Sequence, residues 1–83
     1  MMFSEADLNA VRTSVLNQAR DKASRLYRAN GTPRRDTPSL AAFWRGYEGR
    51  EQAHRGQVPI ACYRAGYEFA RAEGEARRTK AAK

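Results

Sequence analysis

The sequence predicts an all-α fold: a small three-helix domain in which a long N-terminal amphipathic helix precedes two shorter helices. Three observations support this. An apolar stripe at helical spacing runs through the first thirty residues, a loop rich in proline and glycine follows it, and a six-residue pattern then occurs twice. With 83 residues, the chain is near the size at which a single hydrophobic core becomes marginal. We expect one domain at residues 1–76 and a basic, disordered tail at 77–83.

The first helix is predicted at residues 5–29. Ser4 is a suitable N-cap, and Asp7 three residues later forms an imperfect capping box with it. Apolar residues then recur every three or four positions as far as Leu26, and the Asn-Gly pair at 30–31 supplies a C-terminal stop. The stripe consists of Leu8, Val11, Val15, Ala19, Ala23 and Leu26. A stripe of this kind is typical of a core or of a partner interface.

The second and third helices follow the clearest loop in the chain. Residues 31–38 contain two prolines and one glycine, so no helix can continue through them. Thr37 suits the N-cap of the second helix, and Pro38 suits its first helical position. We expect this helix to fade near His54 and the third helix to open at Pro59.

The repeated pattern places two aromatic rings and a glycine on each of these two helices. Residues 43–48 read Phe-Trp-Arg-Gly-Tyr-Glu, and residues 63–68 read Tyr-Arg-Ala-Gly-Tyr-Glu. Rings four residues apart share a helix face, and the glycine beside them lets a second helix approach closely. We therefore expect the rings of Phe43, Tyr47, Tyr63 and Tyr67 in the core. Trp44 is one step off that line and is the ring most expected at a surface, although burial is the more common outcome for tryptophan.

The charge balance predicts an acidic partner, either nucleic acid or an acidic protein surface. The chain has 16 basic and 9 acidic residues, and 13 of the basic residues are arginine, which binds phosphate and carboxylate through a planar fork. Counted over residues 1–30, 31–58 and 59–83, the net charge is +2, +2 and +3, so no block of like charge stands out. Any binding face must then form when the fold gathers arginines from separate elements. The alternative is that the excess only solvates the surface.

The candidate binding residues are the arginines nearest the aromatic residues, together with the single tryptophan. Guanidinium groups beside exposed rings suit single-stranded or looped RNA, because the cations hold phosphates while the rings stack on bases. The candidates are Arg34, Arg35, Arg45, Arg50, Arg55, Arg64, Arg71 and Trp44.

No catalytic or metal-binding constellation is present in the sequence. The glutamates lie among arginines at spacings typical of solvated ion pairs, and His54 has no nucleophile near it. One cysteine and one histidine cannot form a zinc site, and Cys62 lies in an apolar stretch typical of a small buried hydrophobe. We therefore predict a non-enzymatic protein with no catalytic residues, no metal and no cofactor.

The location of the protein is predicted by elimination. The chain has no apolar run of the kind found in a signal peptide, and no stretch approaches the roughly twenty apolar residues of a membrane span. We expect a cytoplasmic protein without a membrane partner.

Part of the chain resembles a known family. Residues 19–47 combine a small-residue helix, a basic Gly/Pro loop at 30–38 and the sequence Trp-Arg-Gly-Tyr at 44–47. This run resembles the ribosome modulation factor family and its small plasmid and phage relatives, and residues 46–67 look like a second, overlapping copy. The resemblance implies a small non-enzymatic protein that grips ribosomal RNA through its basic surface. The segment that matches this family contains Arg34, Arg35, Arg45 and Arg50.

Two classes of function remain open. The first is a binder of RNA or of a ribonucleoprotein that acts by occlusion, and its affinity should fall steeply with salt. The second is a protein-binding module, such as a phage or mobile-element inhibitor of the anti-CRISPR kind that blocks a host nucleic-acid-processing protein, or a homodimer formed through the first helix. Binding through an apolar helix face would depend less on salt and would be damaged by Leu16→Asp or Leu26→Asp.

Overall fold

The described residues of this protein form three helices. The computed structural model describes residues 2–22 and 24–81, with side chains described as far as residue 75. The helices are α1 (Glu5–Arg20), α2 (Pro38–Tyr47) and α3 (Gln57–Ala81). No strand occurs within these residues, so the all-α prediction is confirmed. The predicted order of helix lengths was wrong, because α3 has 25 residues and α1 has 16. None of the described helices is long and apolar enough to cross a membrane.

Two sequence predictions touch residues outside the described part of the chain. Ala23, predicted in the stripe of the first helix, lies outside it. The predicted tail at 77–83 overlaps the end of α3 and includes Ala82 and Lys83, which also lie outside the described residues. The disorder of this tail therefore stays a prediction.

Helix α1 begins as predicted but ends early. The Ser4 hydroxyl accepts the amide N–H of Asp7 at 3.1 Å, and the Asp7 carboxylate accepts the amide N–H of Ser4 at 3.2 Å, so the capping box is complete. The helix ends at Arg20 because Lys22 adopts a φ of +53°, a left-handed conformation that stops a right-handed helix. The prediction of a helix to residue 29 was wrong. Apolar spacing misled it, because Leu26 is buried without being helical.

A short hairpin replaces the predicted end of the first helix. Tyr27 and Pro33 form an isolated antiparallel bridge, and the amide N–H of Arg34 donates to the carbonyl of Leu26 at 2.9 Å. Gly31, with a φ of +87°, lies in the turn between them. Leu26 is 1% exposed and anchors the hairpin to the core.

Helix α2 also begins as predicted and ends early. The Thr37 hydroxyl accepts the amide N–H three residues later at 3.2 Å, and Pro38 is the first helical residue, which confirms both assignments. The helix stops at Tyr47 rather than near His54, and Gly49 follows with a φ of +72°. Residues 48–56 form the connection to α3.

Helices α2 and α3 cross at the glycines of the repeated pattern. A Cβ atom built on Gly46 would overlap the carbonyl oxygen of Tyr63. A Cβ atom built on Gly66 would overlap the carbonyl oxygen of Phe43 and lie 2.9 Å from the amide nitrogen of Tyr47. Each glycine therefore packs against the backbone of the first aromatic residue in the other copy. The repeat produces a reciprocal crossing in which both helices approach backbone to backbone.

The core is centred on an aromatic cluster at this crossing. Phe43 is fully buried and Trp44 is 3% exposed, and their ring centroids lie 4.8 Å apart in an edge-to-face arrangement. The ring centroids of Tyr47 and Trp44 lie 5.3 Å apart, also in an edge-to-face arrangement. Tyr67 is 48% exposed, so its predicted place in the core was wrong. The buried hydrophobic residues in the described part of the chain are Leu16, Ala19, Leu26, Leu40, Ala42, Phe43, Trp44, Ala61, Cys62, Ala65 and Phe69.

Candidate nucleic-acid interface

The main candidate interface is the stretch of chain between α1 and α2. Residues 20–36, here called the basic segment, contain six basic and two acidic residues. This segment therefore carries +4 of the net charge of +7 on 17 residues. The net charges of residues 1–30 and 31–58 do not show it, because the boundary at residue 30 splits the segment into two unremarkable halves. Four of its cations, Arg20, Lys22, Arg25 and Arg28, were not among the predicted binding residues, although a charge count over a shorter window would have found them.

The hairpin orients the basic segment. Leu26 and Tyr27 point toward the core, and the Tyr27 ring lies 5.2 Å from that of Trp44 in an edge-to-face contact. Burial raises the pKa of Tyr27, which keeps its hydroxyl neutral. Arg25 and Arg28 flank this anchored pair in the chain and are both exposed. The core contacts thus hold the hairpin in place while its cations face solvent.

Several cations of the basic segment converge on the surface. Lys22, Arg28 and Arg34 line one shallow depression, together with Asp36. Arg34 also lies with Arg25 at the mouth of a neighbouring groove. Arg34 therefore connects the other three cations into one patch, in which a single carboxylate faces them.

Ion pairs divide these cations into two groups. Arg34 pairs with Asp36 at 2.9 Å, and Arg35 pairs with Glu48 at 2.9 Å. The hydrogen bond from Arg34 lowers the pKa of Asp36, so any stability from this exposed pair is present above the unfolded-state pKa and is lost as pH falls through the lowered value. The remaining four cations form no ion pair with a described residue. They are Arg20, Lys22, Arg25 and Arg28.

The other predicted arginines fall in two further places. Arg45, on α2, reaches the connection between α2 and α3, where its guanidinium donates to the carbonyl of Glu51. In the same connection, the carbonyl of Arg50 accepts the Tyr63 hydroxyl at 2.7 Å. Arg45 is half-buried and positions this connection, whereas the side chains of Arg50 and Arg55 are exposed.

On α3, Arg64 and Arg71 are both exposed. Arg64 lines a depression between α1 and α3 together with Arg12, whose guanidinium pairs with Glu68 at 2.6 Å. Trp44 is buried at the centre of the aromatic cluster, so its ring is a core residue and is left out of the candidate interface.

A groove with apolar walls lies beside the basic segment. It has a volume of about 590 Å³ and lies between α1 and α2 above α3. Its apolar walls include Val11, Val15, Leu40, Phe43, Val58 and Cys62. Cys62 is buried, and burial raises the pKa of its thiol, so the prediction of a small buried hydrophobe is confirmed.

The described residues offer no site for a metal ion, since no group of three or more His, Cys, Asp or Glu side chains comes together among them. Comparison with known proteins adds no family: no protein-family model matches the chain, and neither the curated proteins nor the solved structures give a match.

Proposed function

We propose that this protein is a small, basic, non-enzymatic binding protein of the cytoplasm that contacts RNA or a ribonucleoprotein and acts by occlusion. This is the function that its resemblance to the ribosome modulation factor family implies. The observation that carries the proposal is the basic segment, in which four exposed cations, Arg20, Lys22, Arg25 and Arg28, form no ion pair with a described residue.

The arrangement of charge in the basic segment favours a polyanion as the binding partner. Four cations of the basic segment form no ion pair with a described residue, and its two carboxylates, Asp21 and Asp36, offset only part of the repulsion among its six basic residues. A phosphate backbone offsets it and also releases counterions on binding. Arginine suits this role, because its guanidinium binds phosphate oxygens through two hydrogen bonds.

The fold gives this surface a fixed shape. Backbone hydrogen bonds close the hairpin, and Leu26 holds it against the core, so less conformational entropy is lost on binding than by a free basic loop. A rigid basic surface on a small domain can cover an RNA site without any chemical step. Occlusion is therefore the mechanism that fits these features.

We expect the variant Arg25→Gln/Arg28→Gln to bind RNA at least about tenfold more weakly than the natural protein, because two phosphate contacts are lost. The slope of log affinity against log salt concentration should become shallower by about 2, one for each contact. Fluorescence anisotropy with a labelled RNA stem-loop, titrated at several potassium chloride concentrations, measures both quantities.

A matched control shows whether RNA affinity depends on where the positive charge lies or only on the net charge. The variant Ala6→Glu/Thr13→Glu lowers the net charge by the same two units at exposed positions of α1. We expect it to keep most of the affinity. Equal losses in the two variants would show that only net charge matters, and a natural protein that binds no RNA even at low salt would refute the proposed function.

The groove favours a second candidate function, inhibition of a host nucleic-acid-processing protein by a phage or mobile-element protein. Val11, Val15 and Val58 are half-buried in its walls, and Arg25 and Arg34 lie at its mouth. An amphipathic helix with acidic residues at one end complements this combination of apolar wall and basic rim. A second copy of the chain could occupy the same groove, since a homodimer formed through the first helix would use the same apolar wall.

For the second candidate we expect Val15→Asp to weaken capture of a partner protein at least tenfold, because a carboxylate would enter the apolar wall. A pull-down from nuclease-treated lysate at low and high salt measures the capture, with Thr13→Asp on the exposed side of α1 as control. Leu16→Asp and Leu26→Asp cannot serve here, since both leucines are core residues and their replacement would unfold the domain. Retention of RNA that disappears after nuclease treatment would contradict the second candidate.

A further inference from the structure

Tyr67 is exposed, although its counterpart in the other copy of the repeat is not. Tyr47 packs against Phe69 with ring centroids 5.6 Å apart, and its hydroxyl donates to Glu73. Phe69 and Glu73 are the third and seventh residues after Gly66. These contacts are possible because α3 continues well beyond the crossing.

The end of α2 denies Tyr67 the same contacts. The third and seventh residues after Gly46 are Gly49 and Ala53, and both lie beyond the end of the helix at Tyr47. Gly49 has no side chain, and the chain turns there with a φ of +72°. Helix α2 therefore offers no residue equivalent to Phe69 or Glu73 of α3, and the Tyr67 ring remains 48% exposed.

Two arginines flank this ring on α3. Arg64 precedes Tyr67 by three residues and Arg71 follows it by four, so the three side chains are neighbours on one helix face. The two arginines are about 10 Å apart along the helix axis, with the ring between them. We call this set the α3 stripe: Arg64, Tyr67 and Arg71, all exposed.

The charges of the α3 stripe are not neutralised by the nearest carboxylate. Glu68 lies on the same face, but it accepts a hydrogen bond from Arg12 of α1 at 2.6 Å. Arg64 and Arg71 form no ion pair with a described residue. An exposed ring thus lies between two available guanidinium groups on a rigid helix.

We propose that the α3 stripe is a second RNA-binding surface, in which Tyr67 stacks on an unpaired base while Arg64 and Arg71 hold the adjacent phosphates. This inference rests on the proposed function, because it specifies which form of RNA the protein prefers. Single-stranded RNA fits because its bases can turn outward onto an aromatic ring, whereas the bases of a duplex are already stacked. The basic segment then supplies phosphate contacts, and the α3 stripe supplies the preference for unpaired nucleotides.

The test compares Tyr67→Ala and Tyr67→Phe with the natural protein, using a short labelled poly(U) strand and an RNA duplex of the same length. Tyr67→Ala should bind the single strand about tenfold to a hundredfold more weakly, the range found when one base loses its stacking partner. Tyr67→Phe should retain affinity because it keeps the ring. Duplex affinity and the salt slope should not change, since the ring carries no charge.

A second variant keeps the test independent of the stability of Tyr67→Ala. Arg64→Gln/Arg71→Gln should weaken binding to the single strand and reduce the salt slope by about 1.4, since each phosphate contact on a single strand contributes about 0.7. Urea unfolding of each variant shows whether the fold is retained, which we expect because all three side chains are exposed.

The outcomes distinguish this inference from the proposed function. If Tyr67→Ala binds poly(U) as tightly as the natural protein while Arg25→Gln/Arg28→Gln binds it weakly, the stacking role is overturned and the proposed function stands. If the natural protein binds neither RNA, both are overturned. If Tyr67→Ala loses capture of a protein partner at high salt while its RNA affinity is unchanged, the α3 stripe is a protein contact and the inference is likewise overturned.

Discussion

Gly46→Ala and Gly66→Ala should each lower the free energy of unfolding by about 3 kcal/mol or more. A methyl group at either position would overlap a backbone carbonyl of the opposite helix, and a backbone cannot move aside as a flexible side chain can. Helices α2 and α3 would have to separate, which would loosen the aromatic cluster between them. A loss of this size is severe, because stability amounts to about 0.1 kcal/mol per residue in small domains. Urea unfolding followed by far-UV circular dichroism measures it.

Gly74→Ala is the matched control, since it makes the same chemical change on the same helix as Gly66→Ala. A Cβ atom at Gly74 would meet nothing within 4 Å. The change should therefore raise the free energy of unfolding by up to about 1 kcal/mol, because alanine favours helix over glycine. If Gly46→Ala and Gly66→Ala also raise the free energy of unfolding, helices α2 and α3 do not approach each other backbone to backbone at these glycines.

Leu26→Ala should lower the free energy of unfolding by about 3 kcal/mol, as expected when a fully buried leucine is truncated. Leu26 is 1% exposed, and it is the residue that fixes the hairpin to the core. Its loss leaves a cavity beside the aromatic cluster and weakens the support of the basic segment. Urea unfolding can be followed by the fluorescence of Trp44, the single tryptophan, whose ring contacts Tyr27 of the same hairpin.

Leu8→Ala provides the comparison for Leu26→Ala. Leu8 lies on α1 and is only partly buried, so the same truncation there should cost about 1 kcal/mol. Equal losses at the two positions would contradict the burial of Leu26.

Local signals in the sequence determined the class of fold and where its first two helices begin. The capping box at Ser4 and the cap and proline at Thr37 and Pro38 act through neighbouring residues, so they were predicted correctly. The glycines of the repeat were also recognised as a place where helices approach, because the absence of a side chain has the same effect in any packing. Of the basic segment, only Arg34 and Arg35 had been named as candidates.

Only the tertiary structure decided where α1 and α2 end, which ring is exposed and which cations lie together. Leu26 is buried equally well by a helix or by a hairpin, so apolar spacing could not tell that the helix stops at Arg20. The exposure of Tyr67 depends on where another helix ends, and the convergence of Lys22, Arg28 and Arg34 depends on the hairpin. These features arise from contacts between residues distant in the chain, whose relative positions no local pattern specifies.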